Sequence, residues 1–506
     1  MHSNQIARVT SNFARMGITF IAGLIIVRMV LDMGTEVYAL YALIVAGFGI
    51  GILTREMLRV SLIGHFNAEV ETYGTDTSQY SGFLAKTFKL SAICAVLGIL
   101  IMLGIAWLLP LFGVGSENLL TARVFVVSRA IYVFATILIY PLFIHVISQR
   151  RQVLLNTFLA VERILELFSL FICFTLFPEL EPFSLFASFG VLFLVFVMIF
   201  YVAIYIWLLP FEVLLEGCFK TSALPVLKLY RKDIWNGFRD VLGPLLYLRF
   251  DIIFLSVIFG PASAVLLGIT IQLTGYIRQC SLGMVGGLEA VFGRLHFSGP
   301  VDQDQTASHS LFKTATALQA VSMLFFCSFI VVELDTLLNI WLGDKLDASI
   351  YGLNELRLII MLTIPGVMAN SLSEGWTSML TGAGHLGRFV GVIIGLAILN
   401  PLVMFFAVMF VGLLPLTALV TAAVVFSILN IICHVVVLPA IVSKCIGISI
   451  YELFTPFLNP LAGLAITLII YRLASGMLSQ ESLLASGVIF SSGIMITAFA
   501  TLISQR

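Results

Sequence analysis

Fourteen stretches of about 20 apolar residues run through this 506-residue chain, and short segments that carry most of the charge separate them. A helix needs about 20 apolar residues to cross the roughly 30 Å hydrocarbon core of a bilayer. The chain is therefore predicted to be an all-α, polytopic membrane protein with about 14 transmembrane helices. The predicted spans are 12–31, 38–60, 88–109, 121–147, 153–177, 183–209, 236–259, 263–289, 312–332, 357–381, 388–411, 415–441, 453–473 and 483–503.

Composition supports this class and excludes several others. Hydrophobic residues make up 60% of the chain and charged residues 11%, with a mean hydropathy of +1.09, which is far above that of a soluble domain. The 27 basic and 27 acidic residues cancel, so no overall positive charge is present to attract nucleic acid. The polar segments are too short to house a soluble catalytic domain or a fused ATPase.

Residues that often mark catalysis or metal binding are scattered along the chain. The seven cysteines form no CxxC pair, and the seven histidines form neither a ligand cluster nor a triad. We therefore expect no catalytic residues, no metal site and no cofactor, and the chain is not predicted to be an enzyme.

The distribution of basic residues sets the predicted orientation. With a cytoplasmic N-terminus, eighteen Lys and Arg residues lie on the cytoplasmic side, five lie on the opposite side, and four lie inside spans. Cytoplasmic loops carry the excess of basic residues in membrane proteins, so both termini are predicted to be cytoplasmic. The first apolar stretch has no small-residue cleavage pattern, so it is expected to remain as a span.

Two hairpins of the chain resemble each other and predict an internal duplication. Aligning Gly34 with Gly260 places an Arg in the helix before each turn and another, Arg55 or Arg278, deep in the helix after it. Six spans separate the hairpins, so both halves enter the membrane in the same direction and form parallel repeats. A cavity between two six-helix lobes is expected to follow from this arrangement.

The duplication divides the chain into four predicted segments. An N-terminal six-helix lobe (1–210) precedes a cytoplasmic linker (211–235), whose alternating basic and apolar residues predict an interfacial amphipathic helix. A C-terminal six-helix lobe (236–445) follows, and two additional transmembrane helices complete the chain (446–506). The glycines of the second span, Gly47, Gly49 and Gly51, are interpreted as positions of close helix packing.

Four arginines, Arg129, Arg163, Arg249 and Arg278, lie inside apolar spans. A charged side chain at the centre of a membrane helix costs about 2.5–3.5 kcal/mol on the insertion scales, so such residues usually face a protein interior or a water-filled path. Their placement therefore carries much of the functional information in the sequence.

Five arginines are candidates for a cationic cavity that binds an anionic headgroup: Arg15, Arg55, Arg59, Arg249 and Arg278. Guanidinium groups match phosphate oxygens through pairs of hydrogen bonds. The alternative is that each arginine pairs with an acid or extends to the interface. The cavity is favoured for Arg55 and Arg278 because both halves repeat the position, whereas both interpretations stay open for Arg15 and Arg59.

The remaining charges at membrane depth are interpreted as structural pairs or as ion-coupling groups. Arg129 and Glu166 fall at similar depth and are candidate salt-bridge partners, with Glu162 and Arg163 in the same group. The other candidates are Asp251, near the midplane, and Glu374, at the level of Arg55 and Arg278.

The N-terminal stretch "SNFARMGITFIAGLIIVRMVLDMGTEVYALYALIVAGFGIGI" resembles the polysaccharide flippases, the Wzx-type O-antigen translocases of the multidrug/oligosaccharidyl-lipid/polysaccharide (MOP) exporter superfamily. The resemblance is concentrated in the first two spans and in the run from Arg28 through Gly34 to Tyr38. The rest of the chain matches in topology, with six plus six spans and two more, and with both ends inside.

The resemblance implies a function, a substrate and a location. It implies translocation of an undecaprenyl-diphosphate-linked oligosaccharide across a bacterial cytoplasmic membrane by alternating access, for surface polysaccharide or O-antigen synthesis. In the related lipid II flippases, arginines on the first, second and eighth spans approach the diphosphate, and Arg15, Arg55 and Arg278 match those positions. Membrane lipids, H⁺ or Na⁺, and other polysaccharide assembly proteins are the further partners implied.

Two other functions compete with the flippase. A cation-coupled multidrug exporter of the same superfamily would need a protonatable acid deep in the N-terminal lobe, where Glu162 and Glu166 both have candidate arginine partners. A membrane polysaccharide polymerase or ligase would carry its chemistry in a large outer loop, and none of the predicted outer loops is long enough.

Overall fold

The computed structural model is helical, and no strand occurs in the residues it describes. The described residues are 2–75, 78–149, 151–208, 231, 235, 237–238, 249–285, 288, 301–343, 345–346, 352–383, 385–477 and 483–504. The all-α prediction is confirmed. The predicted interfacial helix at 211–235 lies outside the described residues except at two positions. Arg239, which the alignment of the two hairpins pairs with Arg15, also lies outside them.

Eighteen α-helices are numbered here in chain order. In the first half they are α1 (His2–Asp32), α2 (Thr35–Tyr41), α3 (Ile50–Tyr73), α4 (Ser78–Leu108), α5 (Leu119–Ser148), α6 (Gln152–Leu176) and α7 (Pro182–Leu208). In the second half they are α8 (Phe250–Phe259), α9 (Pro261–Val285), α10 (Val301–Val332), α11 (Leu334–Trp341), α12 (Leu353–Gly382), α13 (Leu386–Met409), α14 (Pro415–Ile431), α15 (Leu438–Ile446), α16 (Ile450–Phe454), α17 (Leu458–Met477) and α18 (Leu483–Ser504).

The chain is a multi-pass membrane protein. In the part of the chain that the structure describes, 10 helical segments are long and apolar enough to cross a membrane. The predicted spans 38–60, 153–177, 236–259 and 263–289 are not among them. Span 153–177 lies on α6, which carries three charged residues at its centre, and much of 236–259 lies outside the described residues. A total of 14 spans therefore stays a prediction.

The second predicted span is not one continuous helix. A π-helical turn, Ala42–Phe48, follows α2, and Gly49 then adopts a left-handed conformation (φ 47°, ψ 28°) before α3 begins. The prediction of one continuous helix over 38–60 is therefore wrong at Gly49, while close packing at this glycine stays a prediction; Gly49 is buried. Glycine is needed there because a side chain would strain a backbone with positive φ, and π turns bend the helices that contain them.

The chain divides into two compact units, which are described separately. Unit 1 comprises Met1–Leu245 and Ile252–Gly268, and unit 2 comprises Leu246–Asp251 and Ile269–Arg506. In unit 1, α5 packs against α3, α4 and α7, and α1 packs along α6. The α5–α7 contact is close because Gly190 of α7 lies against Phe125 and Ser128 of α5.

Unit 2 is organised around α12, which packs against α10 and α14. Gly366 of α12 lies so close to α14 that a Cβ atom there would be 2.6 Å from the Cα of Ser427. The last two helices, α17 and α18, pack against each other and against α10. Glu333, at the end of α10, accepts a 2.9 Å hydrogen bond from Tyr471 of α17 and another from Ser486 of α18.

The packing within each unit supports the predicted duplication. In the first half, α5 (the fourth predicted span) packs against α4 and α7 (the third and sixth). In the second half, α12 (the tenth predicted span) packs in the same way against α10 and α14 (the ninth and twelfth). The glycines of the aligned turns, Gly34 and Gly260, both have positive φ, of 122° and 83°. These correspondences agree with parallel repeats, while the segment boundaries at 210, 235 and 445 stay predictions.

Candidate functional site

Arg55 of α3 contacts two neighbouring helices of unit 1. Its Nη2 atom donates a 3.1 Å hydrogen bond to the hydroxyl of Tyr132 on α5. Both terminal nitrogens lie 3.5 Å from Oε1 of Glu162 on α6, at the outer limit for a hydrogen bond. The pair is mostly buried but retains access, since 13% of the Arg55 side chain and 11% of the Glu162 side chain are exposed.

Glu162 has two partners besides Arg55. The hydroxyl of Tyr132 donates to Oε1, and the hydroxyl of Tyr201 on α7 donates to Oε2 at 2.9 Å. Tyr201 is held in turn by a hydrogen bond with the hydroxyl of Thr136. Each carboxylate oxygen therefore accepts a hydrogen bond from a neutral hydroxyl, and Oε1 also makes the longer contact with Arg55.

A second and tighter ion cluster lies one helical turn further along α6. Arg129 donates a 2.8 Å hydrogen bond to Oε1 of Glu166, and Arg163 donates to Oε2. The Arg129 guanidinium also lies over aromatic rings, nearest to Phe193 at 4.6 Å from the ring centroid. Only 6% of the Arg129 and Glu166 side chains is exposed, so this pair is closed, whereas 19% of the Arg163 side chain is exposed.

The structure divides the group that the sequence analysis had placed together. Glu166 meets Arg129 and Arg163, whereas Glu162 meets Arg55, which the sequence analysis had favoured for a cavity over pairing with an acid. Arg55 is thus both a candidate for anion binding and a member of an ion pair. Glu162 and Glu166 are one turn apart on the same face of α6. The arginine partner of Glu162 comes from α3, whereas those of Glu166 come from α5 and from α6 itself.

Arg15 and Arg59 are half-buried in unit 1. Asn156 of α6 donates to Asn12 at 2.7 Å, which places this level of α6 against α1 one turn before Arg15. Arg59 follows Arg55 by four residues, so it lies on the same face of α3. Both arginines therefore lie on helices that build the surroundings of Arg55 and Glu162.

In unit 2, Arg278 of α9 pairs with Glu374 of α12 through a 3.2 Å hydrogen bond from Nε to Oε1. This pair is more open than the Arg55 pair, since 33% of the Arg278 side chain is exposed. Arg249 lies close enough to Arg278 for their positive charges to interact. Unit 2 thus brings two of the predicted cavity arginines into one neighbourhood.

A polar network beside this pair joins three helices of unit 2. Gln319 of α10 donates to Ser281 Oγ of α9 at 2.7 Å and to the carbonyl oxygen of Ser371 on α12 at 2.6 Å. Its carbonyl oxygen accepts the Gly375 N–H at 3.2 Å. Ser281 follows Arg278 by three residues, and Gly375 is adjacent to Glu374. The network therefore joins Ser281 of α9, near Arg278, to the α12 backbone on either side of Glu374.

Asp251 has surroundings unlike those of the other acids at membrane depth. It is buried, and both of its carboxylate oxygens lie 3.1 Å from the side-chain nitrogen of Asn400 on α13. The partner that the structure shows for this carboxylate is thus a neutral amide, whereas Glu162, Glu166 and Glu374 each have an arginine partner. Sequence analysis placed Asp251 near Arg249 without identifying Asn400.

Several neutral polar residues of these networks were missed because the sequence analysis considered only charged groups at membrane depth. Tyr132, Tyr201, Gln319 and Asn400 all sit within apolar helices. A polar side chain inside an apolar span is itself a signal, because it needs a hydrogen-bond partner there. Tyr132 also follows Arg129 by three residues, which places both on one face of α5.

In the ranges that the structure describes, no three His, Cys, Asp or Glu side chains gather to form a group that could hold a metal ion. The described cysteines are free thiols: Cys94, Cys173, Cys280, Cys327, Cys433 and Cys445. The polar chemistry of the described residues is therefore that of ion pairs and hydrogen bonds.

No protein-family model matches this chain, and no curated protein sequence matches it. Solved structures do share its fold. The lipid II flippase MurJ, in an inward closed conformation, is similar over 97% of this chain and 98% of its own, with a TM-score of 0.62 and 11% identity.

Two multidrug transporters have the same architecture. An outward-facing MATE family transporter of the MOP superfamily covers 88% of this chain and 96% of its own, with a TM-score of 0.59 and 13% identity. The eukaryotic MATE transporter AtDTX14 covers 88% and 98%, with a TM-score of 0.58 and 12% identity. At these identities the likeness shows the fold alone, which is that of MOP superfamily transporters.

Proposed function

We propose that this protein is a transporter of the MOP type that flips an undecaprenyl-diphosphate-linked oligosaccharide across a bacterial cytoplasmic membrane, as the Wzx-type polysaccharide flippases do. The observation that carries the proposal is the repeated arginine. Arg55 and Arg278 follow corresponding glycine turns and keep 13% and 33% of their side chains exposed, and both are predicted to lie within the membrane.

A diphosphate is the substrate group that these positions fit best. It presents several anionic oxygens to planar guanidinium groups, and charge-assisted hydrogen bonds of this kind are about twice as strong as neutral ones. Arg15 and Arg59 accompany Arg55 in unit 1, and Arg249 accompanies Arg278 in unit 2. We propose that these five arginines bind the headgroup, and that Arg129 and Arg163 stabilise the packing of their helices.

Chain length favours the flippase over the multidrug exporter. MurJ covers 97% of this chain, whereas the two MATE transporters leave about 12% uncovered. The predicted C-terminal segment 446–506, which contains the two additional helices, also makes up about 12% of the chain. A lipid-linked substrate has a long prenyl tail, and we propose that the two additional helices bind that tail.

The exporter is the second candidate, because one acid fits ion coupling. Glu162 and Glu166 each lie within hydrogen-bonding distance of an arginine, which disfavours them as coupling groups. Asp251 is buried and bound by the amide of Asn400, so its charge could be neutralised by H⁺ or Na⁺. A coupling role for Asp251 is compatible with either substrate class.

The cellular setting is part of the proposal. Both termini are proposed to be cytoplasmic, and the protein would act in transport, while other polysaccharide assembly proteins carry out the synthesis. Its partners would be the lipid-linked glycan, the surrounding lipids and a coupling cation.

Transport by purified protein in liposomes tests this function. Liposomes would contain a fluorescent polyprenyl-diphosphate oligosaccharide, and the fraction reached by a membrane-impermeant quencher would report flipping. We expect the wild-type protein to increase the flipping rate, and we expect Arg55→Ala and Arg278→Ala each to lower it at least tenfold, since a charge-assisted hydrogen bond contributes about 1.5–3 kcal/mol.

The control variant is Arg357→Ala, which removes an exposed arginine that pairs with Asp335 at 2.9 Å; it should flip at the wild-type rate. Efflux of a cationic dye from the same liposomes tests the exporter. Dye efflux without lipid flipping would favour the exporter, and full flipping by both arginine variants would refute the headgroup site.

A further inference from the structure

The two arginine–glutamate clusters of unit 1 differ in how firmly the arginine is held. Arg129 contacts Glu166 at 2.8 Å, and its guanidinium group also lies over aromatic rings. Arg55 contacts Glu162 at 3.5 Å, and its shorter bond, of 3.1 Å, goes to the hydroxyl of Tyr132. The Arg55 side chain is also about twice as exposed as that of Arg129. Of these two guanidinium groups, Arg55 is therefore the one that can exchange partners.

The carboxylate of Glu162 can lose Arg55 without losing all of its hydrogen bonds. Tyr132 donates to one oxygen and Tyr201 donates to the other. A buried carboxylate left without any partner is strongly destabilising, and the two hydroxyls reduce that cost. Glu166 differs, because the hydrogen bonds shown to its two oxygens both come from arginines.

We propose that Glu162 is an internal counter-ion for Arg55, which the substrate's phosphate displaces during transport. This proposal rests on the proposed function, because it assumes that Arg55 binds the anionic headgroup. Without substrate, the carboxylate balances the arginine charge at membrane depth. When a phosphate binds Arg55, the carboxylate stays on Tyr132 and Tyr201, and it recaptures the arginine when the phosphate leaves.

The counter-ion weakens binding and thereby favours release. An anion must compete with Glu162 for the guanidinium, and the two negative charges repel while both are near it. A transporter benefits from this competition, because a substrate that binds too tightly is not released. Tyr132 and Tyr201 determine how strongly Glu162 competes for Arg55, because they stabilise the carboxylate while Arg55 binds the phosphate.

Binding of a small prenyl diphosphate tests this role. The probe is geranyl diphosphate, titrated into the purified full-length protein in detergent micelles and followed by calorimetry. Uncharged geraniol reports tail binding, and inorganic pyrophosphate reports the headgroup alone. We expect the wild-type protein to bind both anions through Arg55, so that Arg55→Ala lowers their affinity at least tenfold.

Glu162→Gln should bind both anions at least about fivefold more tightly than the wild-type protein, the lower end of typical coupling between sites. The paired variant Tyr132→Phe/Tyr201→Phe should bind them at least about fivefold more weakly, because Glu162 then depends on Arg55. The matched control is Glu166→Gln, one turn away on α6, which should leave the affinity unchanged in the folded fraction isolated by gel filtration.

The outcomes separate this proposal from the proposed function. Equal or weaker anion binding by Glu162→Gln, with Arg55→Ala still defective, would overturn the counter-ion while leaving the headgroup site intact. If Glu162→Gln does not fold, unchanged binding by the double tyrosine variant overturns it instead. Binding that does not depend on Arg55, or no binding by the wild-type protein, would overturn both proposals.

Discussion

Arg129 of α5 and Glu166 of α6 are joined by a 2.8 Å hydrogen bond, and each side chain keeps only 6% of its surface exposed. Arg163 shares the same carboxylate. Arg129 and Glu166 thus form a closed, buried pair, while 19% of the Arg163 side chain is exposed. The neighbouring contact between Arg55 and Glu162 is longer, at 3.5 Å, and both of its side chains are more exposed than those of Arg129 and Glu166.

Removing the shared carboxylate should destabilise the protein. Glu166→Gln leaves the buried Arg129 without the charge of its carboxylate partner, and breaking a buried ion pair from one side costs about 3–5 kcal/mol. Denaturant unfolding in detergent micelles would measure the loss. Asp335→Asn breaks an exposed pair, in which the side chains are 50% and 57% exposed, and should cost less than about 1 kcal/mol. Equal losses for the two variants would contradict the structural role of the cluster.

The two glycines of the aligned turns should resist substitution. Gly34 and Gly260 have φ angles of 122° and 83°, and neither has an atom within 4 Å of where a Cβ would lie. Alanine would therefore strain the backbone without a steric clash, at about 1–3 kcal/mol for each position. Gly17→Ala, in the middle of α1 with similar open space, should be neutral or stabilise by up to about 1 kcal/mol. Thermal unfolding of the three variants distinguishes strain from a general sensitivity to alanine.

Close packing makes a different prediction for Gly366. Alanine there would place its Cβ 2.6 Å from the Cα of Ser427, so α12 and α14 must move apart. Overpacking of this kind costs about 1–3 kcal/mol. Gly82→Ala in α4 meets nothing within 4 Å, which makes it the matched control. A Gly366→Ala protein as stable as Gly82→Ala would show that the two helices do not approach so closely.

Loss of the Gln319 amide should affect both the stability of unit 2 and the action of Arg278. Gln319→Met keeps the approximate size of the side chain but removes its hydrogen bonds with Ser281, Ser371 and Gly375. A hydrogen bond within a protein contributes about 0.5–1.5 kcal/mol to stability. We expect lower stability and also slower flipping by the folded protein, because Arg278 and Glu374 are displaced. Flipping at the wild-type rate per folded molecule would restrict Gln319 to a structural role.

Most of the fold could be predicted, because hydrophobic length and charge placement are local properties of the sequence. The apolar stretches at 121–147 and 183–209 match α5 and α7 to within two residues at either end. The break at Gly49 could not be predicted in this way, because a π turn leaves the hydropathy pattern unchanged. The apolar run continues through 38–60 whether or not the helix is interrupted.

The candidate site was predictable only in its charged members. Arg278 stands out from the sequence because a charge in an apolar span is costly, and Arg55 stands out because it repeats that position after the aligned turn. The hydroxyls of Tyr132 and Tyr201 come from helices that are distant in sequence from Glu162, so their meeting depends on how α5, α6 and α7 pack. The sequence could indicate depth, but it could not indicate which side chains face one another.

The helical, multi-pass architecture and the predicted depth of the arginines follow from the amino-acid sequence alone. Those properties depend on the transfer free energy of local segments. The pairing of Glu166 with Arg129 and of Glu162 with Arg55 depends instead on how the helices pack. The two acids are one turn apart on the same helix face, so only the positions of the neighbouring helices distinguish the closed pair from the exchangeable one.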